Sequence, residues 1–258
     1  MKIGFIGFGS MGQAIARGMI SCGGVDGGDI YAYARRQEKL KKSAAELGVN
    51  PVGSASELAR SCEMIIIAVT PDAVEPLLKP IGGELMGKTV VSIAAGYDFE
   101  RYEAFLPQKV NHISTIPNIP ISVGAGILAC EDRHSLTDEQ YAEFEAVFDK
   151  IALIEPVSAA QFSIAGTLGG CTPAYTAMYV EALADAAVKH GMSRPTAYRI
   201  AEQMLIGTGK LLLEKSMHPA ELKDLVCSPG GTTIKGVAAL ENRGFRGAVI
   251  SAIDAAEE

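Results

Sequence analysis

Hydrophobic and polar positions follow two different patterns in the two parts of the chain. Up to about residue 156, short apolar runs such as 64–69 and 89–94 alternate with stretches of helical spacing. A continuous apolar run of this length is typical of a strand buried on both faces of a parallel sheet. Beyond residue 156 the strand pattern stops and long Ala-rich helical patterns follow. The pattern predicts a fold class of α/β plus all-α, with domains at residues 1–156 and 157–258.

The same pattern predicts where the individual elements lie. Strands are expected at 2–6, 29–34, 64–69, 89–94, 110–116, 122–129 and 152–157. In the C-terminal part, one long helix is expected over 163–190, with Pro173 marking a first turn or a kink. Further helices are expected over 193–215, 219–226, from about 231 and from 245 to the C-terminus.

The first predicted strand leads directly into a glycine-rich turn. In order, the turn contains Gly7, Phe8, Gly9, Ser10, Met11 and Gly12. This is the spacing GxGxxG between a strand and a helix, where the first glycine makes the tight turn and the second lets a pyrophosphate approach. The N–H groups of Ser10 and Met11 would face the phosphates. The turn therefore predicts a bound dinucleotide, and the alternative is a purely structural turn.

The end of the second predicted strand indicates which dinucleotide is bound. NAD enzymes usually carry an acidic residue there, but this chain has Ala34, Arg35 and Arg36. Arginine can bind a 2′-phosphate through two parallel hydrogen bonds. We therefore predict NADPH as the cofactor, with NADH accepted more weakly, and Arg35 as the first candidate before Arg36. The alternative is a pair of solvated arginines at a helix start.

A second glycine-rich turn precedes a predicted helix near the C-terminus. In order, it contains Ser228, Pro229, Gly230, Gly231, Thr232 and Thr233. A helix start presents unpaired N–H groups and the positive end of the helix dipole. The glycines let a ligand approach the backbone, and the hydroxyls can donate or accept hydrogen bonds. The stretch predicts a small anion site, and the alternative is an ordinary capped helix.

Composition and charge narrow the range of partners. The 258-residue chain has a net charge of −7, which argues against nucleic acid and anionic membrane surfaces as partners. Its five cysteines include no CxxC pair and its four histidines no HxxxH spacing, so we expect a reducing compartment and no metal site. No apolar run approaches the roughly 20 residues of a membrane span. The expectation is a soluble cytoplasmic protein.

A nicotinamide cofactor implies hydride transfer and leaves the acceptor open. A hydroxyacid dehydrogenase of this design needs a Lys or His as general acid/base, and no lysine here stands in a motif that marks it as catalytic. A cyclic iminium acceptor would need only a carboxylate site and a hydrogen-bonding group near its nitrogen. Two alternatives stay open: a hydroxyacid-type dehydrogenase, and a non-catalytic NADP-binding regulator with a degenerate site.

The stretch from Leu222 to Glu241 resembles the signature of pyrroline-5-carboxylate reductases. The resemblance covers the whole chain and includes GFIGFGSMG at 4–12, Ala94-Ala95-Gly96, Pro117-Asn118, Pro173-Ala174-Tyr175 and Gly244-Phe245-Arg246. It implies NADPH-dependent reduction of 1-pyrroline-5-carboxylate to L-proline, the last step of proline biosynthesis. It also implies a Rossmann domain followed by a helical domain that interlocks into dimers, so we expect a homo-oligomer.

The resemblance also implies roles for individual residues. Thr233 would hydrogen-bond the ring nitrogen of the imino acid as the catalytic residue. The substrate carboxylate would be held by Ser228 and by the backbone of Gly230, Gly231, Thr232 and Thr233. Cofactor contacts would come from Val69, Thr70 and Pro71, from Ala94 and Ala95 near the nicotinamide, and from Asn118.

Three segments depart from the usual family pattern. Thr70 stands where the family usually has lysine, in a Val-Lys-Pro loop. Ser114 stands where the family usually has arginine, and 169–172 replaces a Ser-Gly-Ser-Gly run.

Overall fold

An eight-stranded sheet forms the centre of the first of two structural units. The computed structural model describes residues 1–258 and divides into Met1–Gly170 and Cys171–Glu258. The strands are β1 (Ile3–Ile6), β2 (Ile30–Tyr33), β3 (Asn50–Pro51), β4 (Met64–Ile67), β5 (Thr89–Ser92), β6 (Asn111–Pro117), β7 (Gly126–Glu131) and β8 (Ala152–Val157). Their order is β3-β2-β1-β4-β5-β6-β7-β8, and every pairing is parallel except that of β6 with β7. The strand order reverses at β1 and β4, which is the topological switch point of the sheet.

Helices cover both faces of this sheet. They are α1 (Ser10–Ser21), α2 (Gln37–Leu47), α3 (Ala55–Ser61), α4 (Pro71–Leu78), α5 (Gly82–Leu85), α6 (Phe99–Glu103), α7 (Asp138–Phe148) and α8 (Ala159–Gly170). Thr137 and Gln140 form a capping box at the start of α7. Short 3₁₀ turns occupy Gly27–Asp29, Lys79–Ile81 and Ile119–Val123.

Alternate residues of the central strands enter two separate hydrophobic cores. In β4, Met64 and Ile66 pack into the core that contains α1, whereas Ile65 and Ile67 pack into the core that contains α3. Successive side chains of a strand point to opposite faces, so a strand covered on both sides needs apolar residues at every position. This confirms the prediction that the continuous apolar runs are fully buried strands.

Two predicted elements differ from the structure. The strand expected over 122–129 begins only at Gly126, because Ile119–Val123 forms a 3₁₀ turn. The single helix expected over 163–190 is two helices, α8 and α9 (Thr172–Lys189), which break at Cys171. Pro173 lies in the first turn of α9, where its missing N–H is tolerated but could not continue the preceding helix.

The helix α8 belongs to the sheet unit, although its sequence pattern is that of the helical part. A Cβ at Gly166 would lie 2.6 Å from the Ile116 side chain in β6, which shows how closely α8 lies on the sheet. The Asn118 side chain also donates to the Gly169 carbonyl at 3.0 Å. The first unit therefore runs to Gly170, fourteen residues beyond the boundary expected from the change of pattern. The ranges 1–156 and 157–258 stay a prediction.

The second unit consists of helices alone and buries few side chains. Its helices are α9, α10 (Arg194–Lys215), α11 (Pro219–Val226), α12 (Thr232–Asn242) and α13 (Phe245–Glu257). Its buried hydrophobic residues are Ala184, Ala197 and Ala201, whereas Leu213 and Leu225 are more than 70% exposed. None of the helices in the chain combines the length and apolarity needed to cross a membrane. A sheet unit followed by a helical unit confirms the predicted fold class.

A histidine is buried in β6 against α6. The His112 ring stacks on Phe99 with 4.7 Å between centroids, and its Nε2 lies 2.9 Å from the Glu103 carboxylate. Its Nδ1 atom is buried without a hydrogen-bond partner. Burial lowers the pKa of His112, and this outweighs the opposing effect of Glu103. The imidazole is therefore neutral in the folded protein at neutral pH.

We expect His112 to make stability depend on pH. Below the ordinary histidine value of 6.5, the unfolded chain takes up a proton that the folded chain does not, so the free energy of unfolding falls as pH falls. His112→Phe keeps a ring in the site and should flatten this dependence when urea unfolding is measured between neutral and mildly acidic pH. His190→Phe, at the exposed end of α9, should leave the slope unchanged. Equal slopes in His112→Phe and in the unsubstituted protein would contradict the assignment.

Candidate functional site

The turn between β1 and α1 is possible only because it contains glycine at its first position. Gly7 has φ +94°, a backbone conformation that other residues rarely adopt. A Cβ there would lie 2.3 Å from the carbonyl oxygen of Ala68, just after β4. The Gly7 N–H also donates to the Tyr33 carbonyl at 2.8 Å. Gly7 thus joins the ends of β1, β2 and β4 at one point.

The start of α1 faces open space. Gly9 is the N-cap of α1 and offers no side-chain cap, and a Cβ added to it would meet nothing within 4 Å. The N–H groups of Ser10, Met11 and Gly12 in the first helical turn are therefore available to an outside acceptor. Together with the positive end of the helix dipole, they form a site suited to a phosphate.

This turn forms one wall of a cleft of about 550 Å³ at the carboxyl ends of β1, β2 and β4. The cleft is lined by Gly7, Phe8, Gly9, Tyr33, Ala34, Arg35, Arg36, Lys39, Leu40, Ala68, Val69, Thr70, Asp72, Ala73, Pro76 and Leu77. All of these residues belong to the first unit. In open α/β sheets, ligands bind at this edge beside the topological switch point.

Three cations line the end of the cleft beyond β2. Arg35 and Arg36 are exposed there, as the sequence predicts, and Lys39 joins them from the first turn of α2. None of the three makes an ion pair or a side-chain hydrogen bond, so their donors are free for an anionic ligand. The one acidic residue of the lining is Asp72, in the first turn of α4. The cleft is therefore locally positive in an acidic chain.

Lys39 was missed by the sequence analysis. A signal was present, because a residue three positions after Arg36 on a helix that starts at Gln37 lies about one turn from the strand end. The only cations at the strand end itself are Arg35 and Arg36, and Lys39 follows them within α2.

The other predicted cofactor residues fall into two groups. Val69 and Thr70 line the cleft between β4 and α4, and Pro71 follows as the first residue of α4. Ala94, Ala95 and Asn118 lie at the carboxyl ends of β5 and β6, outside the lining of the cleft.

The Asn118 side chain forms two hydrogen bonds within the sheet unit. Its Oδ1 accepts from the Ile127 N–H at 2.9 Å, and its Nδ2 donates to the Gly169 carbonyl at 3.0 Å. The residue is 5% exposed. Its amide therefore links the end of β6 to β7 and to α8, and a cofactor contact through this side chain would use its second N–H or the second lone pair of Oδ1.

Most of the positions that depart from the usual family pattern lie in the first unit, and only Cys171 and Thr172 lie in the second. Ser114 is fully buried in β6, and its hydroxyl has no hydrogen-bond partner. Gly169 is the last residue but one of α8, and a Cβ added to it would be in ordinary van der Waals contact with Ile127. Cys171 and Thr172 begin the second unit at the start of α9.

The second glycine-rich stretch forms the start of α12. Gly230 has φ +72°, and Gly231 is the N-cap without a side-chain cap. The first turn of α12 contains Thr232 and Thr233, whose side chains are exposed in the single chain. The N–H groups of these two threonines carry no cap and are available to an anion.

Ser228 and Gly231 form a tight turn in front of this helix. The Gly231 N–H donates to the Ser228 carbonyl at 3.0 Å, so it is already engaged. A Cβ at Gly231 would lie 2.4 Å from the Ser228 Oγ. Glycine at this position thus lets the Ser228 hydroxyl lie directly over the start of α12.

Comparisons with known proteins agree over the whole chain. The family profile "Pyrroline-5-carboxylate reductase dimerisation" matches residues 159–258, and the profile "NADP oxidoreductase coenzyme F420-dependent" matches residues 2–96. The chain is 43% identical to a pyrroline-5-carboxylate reductase of Treponema pallidum, over 99% of this chain and 98% of that protein. It is 39% identical to one of Escherichia coli, over 98% and 94% of the two chains.

Solved structures with this fold include pyrroline carboxylate reductases. The crystal structure of Plasmodium falciparum pyrroline carboxylate reductase with NADP bound has a TM-score of 0.87 at 29% identity, covering 99% of this chain and 95% of the other. The fold and the cleft define a dinucleotide-binding protein of the Rossmann type. The chain belongs to the pyrroline-5-carboxylate reductase family.

Gly9 and Gly7 should respond differently to the same substitution. We expect Gly9→Ala to leave thermal stability unchanged, because a methyl group there meets no protein atom, but to weaken NADPH binding by roughly tenfold or more, because it occupies the phosphate site. Gly7→Ala should instead destabilise the fold. Melting curves and titration calorimetry measure the two effects. As a control, Gly83→Ala in α5 also points into open space and should change neither quantity.

Proposed function

We propose that this protein reduces 1-pyrroline-5-carboxylate to L-proline with NADPH, by hydride transfer to the imine carbon. The observation that carries the proposal is family membership over the full chain, combined with an intact Ser228–Thr233 stretch at a helix start. The reaction would be the last step of proline biosynthesis.

The cleft of the first unit suits the cofactor. The pyrophosphate would lie against the N–H groups of Ser10 and Met11, with Gly9 allowing the close approach. Arg35, Arg36 and Lys39 would bind the 2′-phosphate, with Arg35 able to form a two-pronged contact. When bound, NADPH supplies the hydride. Weaker use of NADH follows because that cofactor lacks the phosphate that the three cations would bind.

The start of α12 suits the substrate. A carboxylate would accept from the N–H groups of Thr232 and Thr233 and from the Ser228 hydroxyl. Gly231 would contribute mainly by leaving room, since its N–H is engaged by Ser228. Gly230 supplies the left-handed bend that leads into the helix. The Thr233 hydroxyl would hydrogen-bond the ring nitrogen as the catalytic contact.

The reaction needs positioning more than acid or base strength. A protonated cyclic imine already carries the positive charge that attracts hydride, so the protein has to hold the ring at the right distance and exclude water. Two lysines of the second unit are ion-paired on its surface, Lys210 with Glu214 at 3.6 Å and Lys223 with Asp224. Neither these two nor Lys189 and Lys235 stand in a motif that marks a general acid, and this favours an imine over a hydroxy acid as the substrate.

The second unit is proposed to associate with another copy of the chain. Its family profile is that of a dimerisation domain. Large apolar side chains such as Met178, Ile206 and Leu213 are more than 60% exposed in the single chain. Exposed large apolar side chains in such number are typical of an interaction site. The oligomer would be at least a dimer, and a cytoplasmic location stays a prediction from the cysteine content.

The direct test is an assay of NADPH consumption. We expect the absorbance of NADPH to fall when 1-pyrroline-5-carboxylate is added, and L-proline to appear in equal amount. A set of 2- and 3-hydroxy acids with NADP is the control for the alternative dehydrogenase. NADPH binding without turnover of any of these compounds would instead identify a non-catalytic NADP-binding protein.

Thr233→Val tests the catalytic contact. Valine keeps the shape of threonine but cannot hydrogen-bond, so we expect kcat/KM to fall by about one to two powers of ten. Thr208→Val in α10 removes a hydroxyl that only bonds its own helix at Met204, and it should leave the kinetics unchanged. Unchanged kinetics in Thr233→Val would remove this residue from the site.

Arg35→Asp tests the choice of cofactor. A carboxylate there repels a 2′-phosphate and can accept the ribose hydroxyls, so the KM for NADPH should rise by roughly tenfold or more while that for NADH stays or falls. Arg17→Asp on the exposed side of α1 makes the same change in net charge and should affect neither KM. A parallel rise for both cofactors would show that Arg35 does not read the phosphate.

A further inference from the structure

The turn that follows β5 lies at the same sheet edge as the cofactor cleft. β5 pairs with β4 in parallel, so the carboxyl ends of both strands point the same way. The turn closes with the Tyr97 N–H donating to the Ala94 carbonyl at 3.2 Å, and Gly96 has φ +72°. Ala94 is buried, whereas Ala95 and Gly96 are exposed at the edge.

The order of the strands indicates which end of the cofactor this turn meets. The cations that suit the 2′-phosphate follow β2, and the helix start that suits the pyrophosphate follows β1. The sheet continues from β1 to β4 and then β5. A dinucleotide with its adenosine half over β2 therefore extends its nicotinamide half toward β4 and β5. This step rests on the proposed function.

A buried pair of hydroxyl groups holds the turn from inside the unit. Tyr102 in α6 is fully buried, and its Oη lies 2.7 Å from the Ser92 Oγ at the end of β5. The same Ser92 Oγ accepts from the Ala94 N–H at 3.2 Å. Burial raises the pKa of Tyr102 above its usual range, so this hydroxyl stays protonated. The Tyr102 hydroxyl therefore orients the Ser92 Oγ, and this oxygen in turn holds the Ala94 N–H at the start of the turn.

Two further contacts hold the same segment. The Thr115 hydroxyl donates to the Ser92 carbonyl at 2.8 Å and ties the end of β5 to β6. On the outside, Arg101 donates to the Gly96 carbonyl at 2.9 Å and lies over the Tyr97 ring at 4.0 Å. Tyr102 and Arg101 are neighbours in α6, so one short helix holds the turn from both sides.

We propose that Tyr102, acting through Ser92, is a positioning residue that sets the Ala94–Gly96 backbone against the nicotinamide half of the cofactor. It touches neither cofactor nor substrate. Its hydroxyl orients the Ser92 side chain, which orients the Ala94 N–H and the exposed backbone that follows. Hydride transfer is sensitive to the distance and angle of the nicotinamide ring, so a loosened turn would slow the chemical step more than it weakens binding of the adenosine half.

Tyr102→Phe tests this, because it removes one oxygen and keeps the buried ring. The matched control is Tyr141→Phe, which removes a hydroxyl from a tyrosine in α7 of the same unit. For each protein we would measure the Kd of NADPH, the Kd of adenosine 2′,5′-bisphosphate, and kcat with NADPH and with NADPH deuterated at C4 of the nicotinamide. The bisphosphate contains the adenosine half of the cofactor but no nicotinamide.

We expect Tyr102→Phe to lower kcat by about five- to tenfold, the scale of one lost hydrogen bond, and to raise the isotope effect on kcat. The Kd of the bisphosphate should stay within about twofold of the unsubstituted protein, and Tyr141→Phe should match that protein throughout. A purely structural role would lower the melting temperature and leave the isotope effect unchanged. That result, or equal weakening of both ligands, would overturn the proposal.

Ser92→Ala provides a second variant should Tyr102→Phe fold poorly. It removes the oxygen between Tyr102 and Ala94, so it should reproduce the same kinetic pattern. If the pair acts as one unit, the double variant should be no slower than the slower single variant. If the decreases in kcat of the two single variants add up in the double variant, Tyr102 does not act through Ser92.

The binding measurements separate this proposal from the proposed function. If the unsubstituted protein does not reduce 1-pyrroline-5-carboxylate, the proposed reaction is wrong. Selective weakening of NADPH relative to the bisphosphate in Tyr102→Phe would still support the positioning role, and equal weakening would still overturn it.

Discussion

The close approach of Gly7 to the Ala68 carbonyl is the constraint on which the first unit depends. It joins the end of β1 to the end of β4. A Cβ on Gly7 would lie only 2.3 Å from the carbonyl oxygen of Ala68, so no larger residue fits there. Because the two strand ends meet, α1 and α4 start at opposite sides of one opening. The cleft that results has free N–H groups on one wall and, beyond β2, three unpaired cations. An acidic protein thereby gains a local site for a highly anionic ligand.

The two units reach stability in different ways. The sheet unit encloses two hydrophobic cores, and its central strands are buried on both faces. The helical unit buries three alanines and leaves many large apolar side chains exposed in the single chain. Packing of an apolar face provides most of the stability of helices in proteins. The exposed apolar side chains of the second unit agree with its match to a dimerisation family.

Buried polar side chains connect the sheet to the edge where ligands would bind. Asn118 links three segments through one amide, and Ser92 links Tyr102 to the turn after β5. Networks of this kind favour one arrangement of the side chains, because a buried polar group without a hydrogen bond costs free energy. Through such contacts the short helix α6 is connected to the turn after β5, which it does not itself form.

The sequence alone determined the fold class, and it located the glycine-rich turn after β1 and the two arginines after β2, because each of these is a local pattern of a few neighbouring residues. Apolar runs such as 64–69 predict buried strands without knowledge of what covers them. The spacing GxGxxG directly after a strand predicts a dinucleotide-binding turn. Only the tertiary structure decided the roles of residues whose partners lie far along the chain. Lys39 gained its place beside Arg35 and Arg36 from the start of α2, and α8 joined the sheet unit through Gly166 and Asn118. Periodicity records the environment of a residue but not the identity of its neighbour, and contacts such as that between Tyr102 and Ser92 depend on that identity.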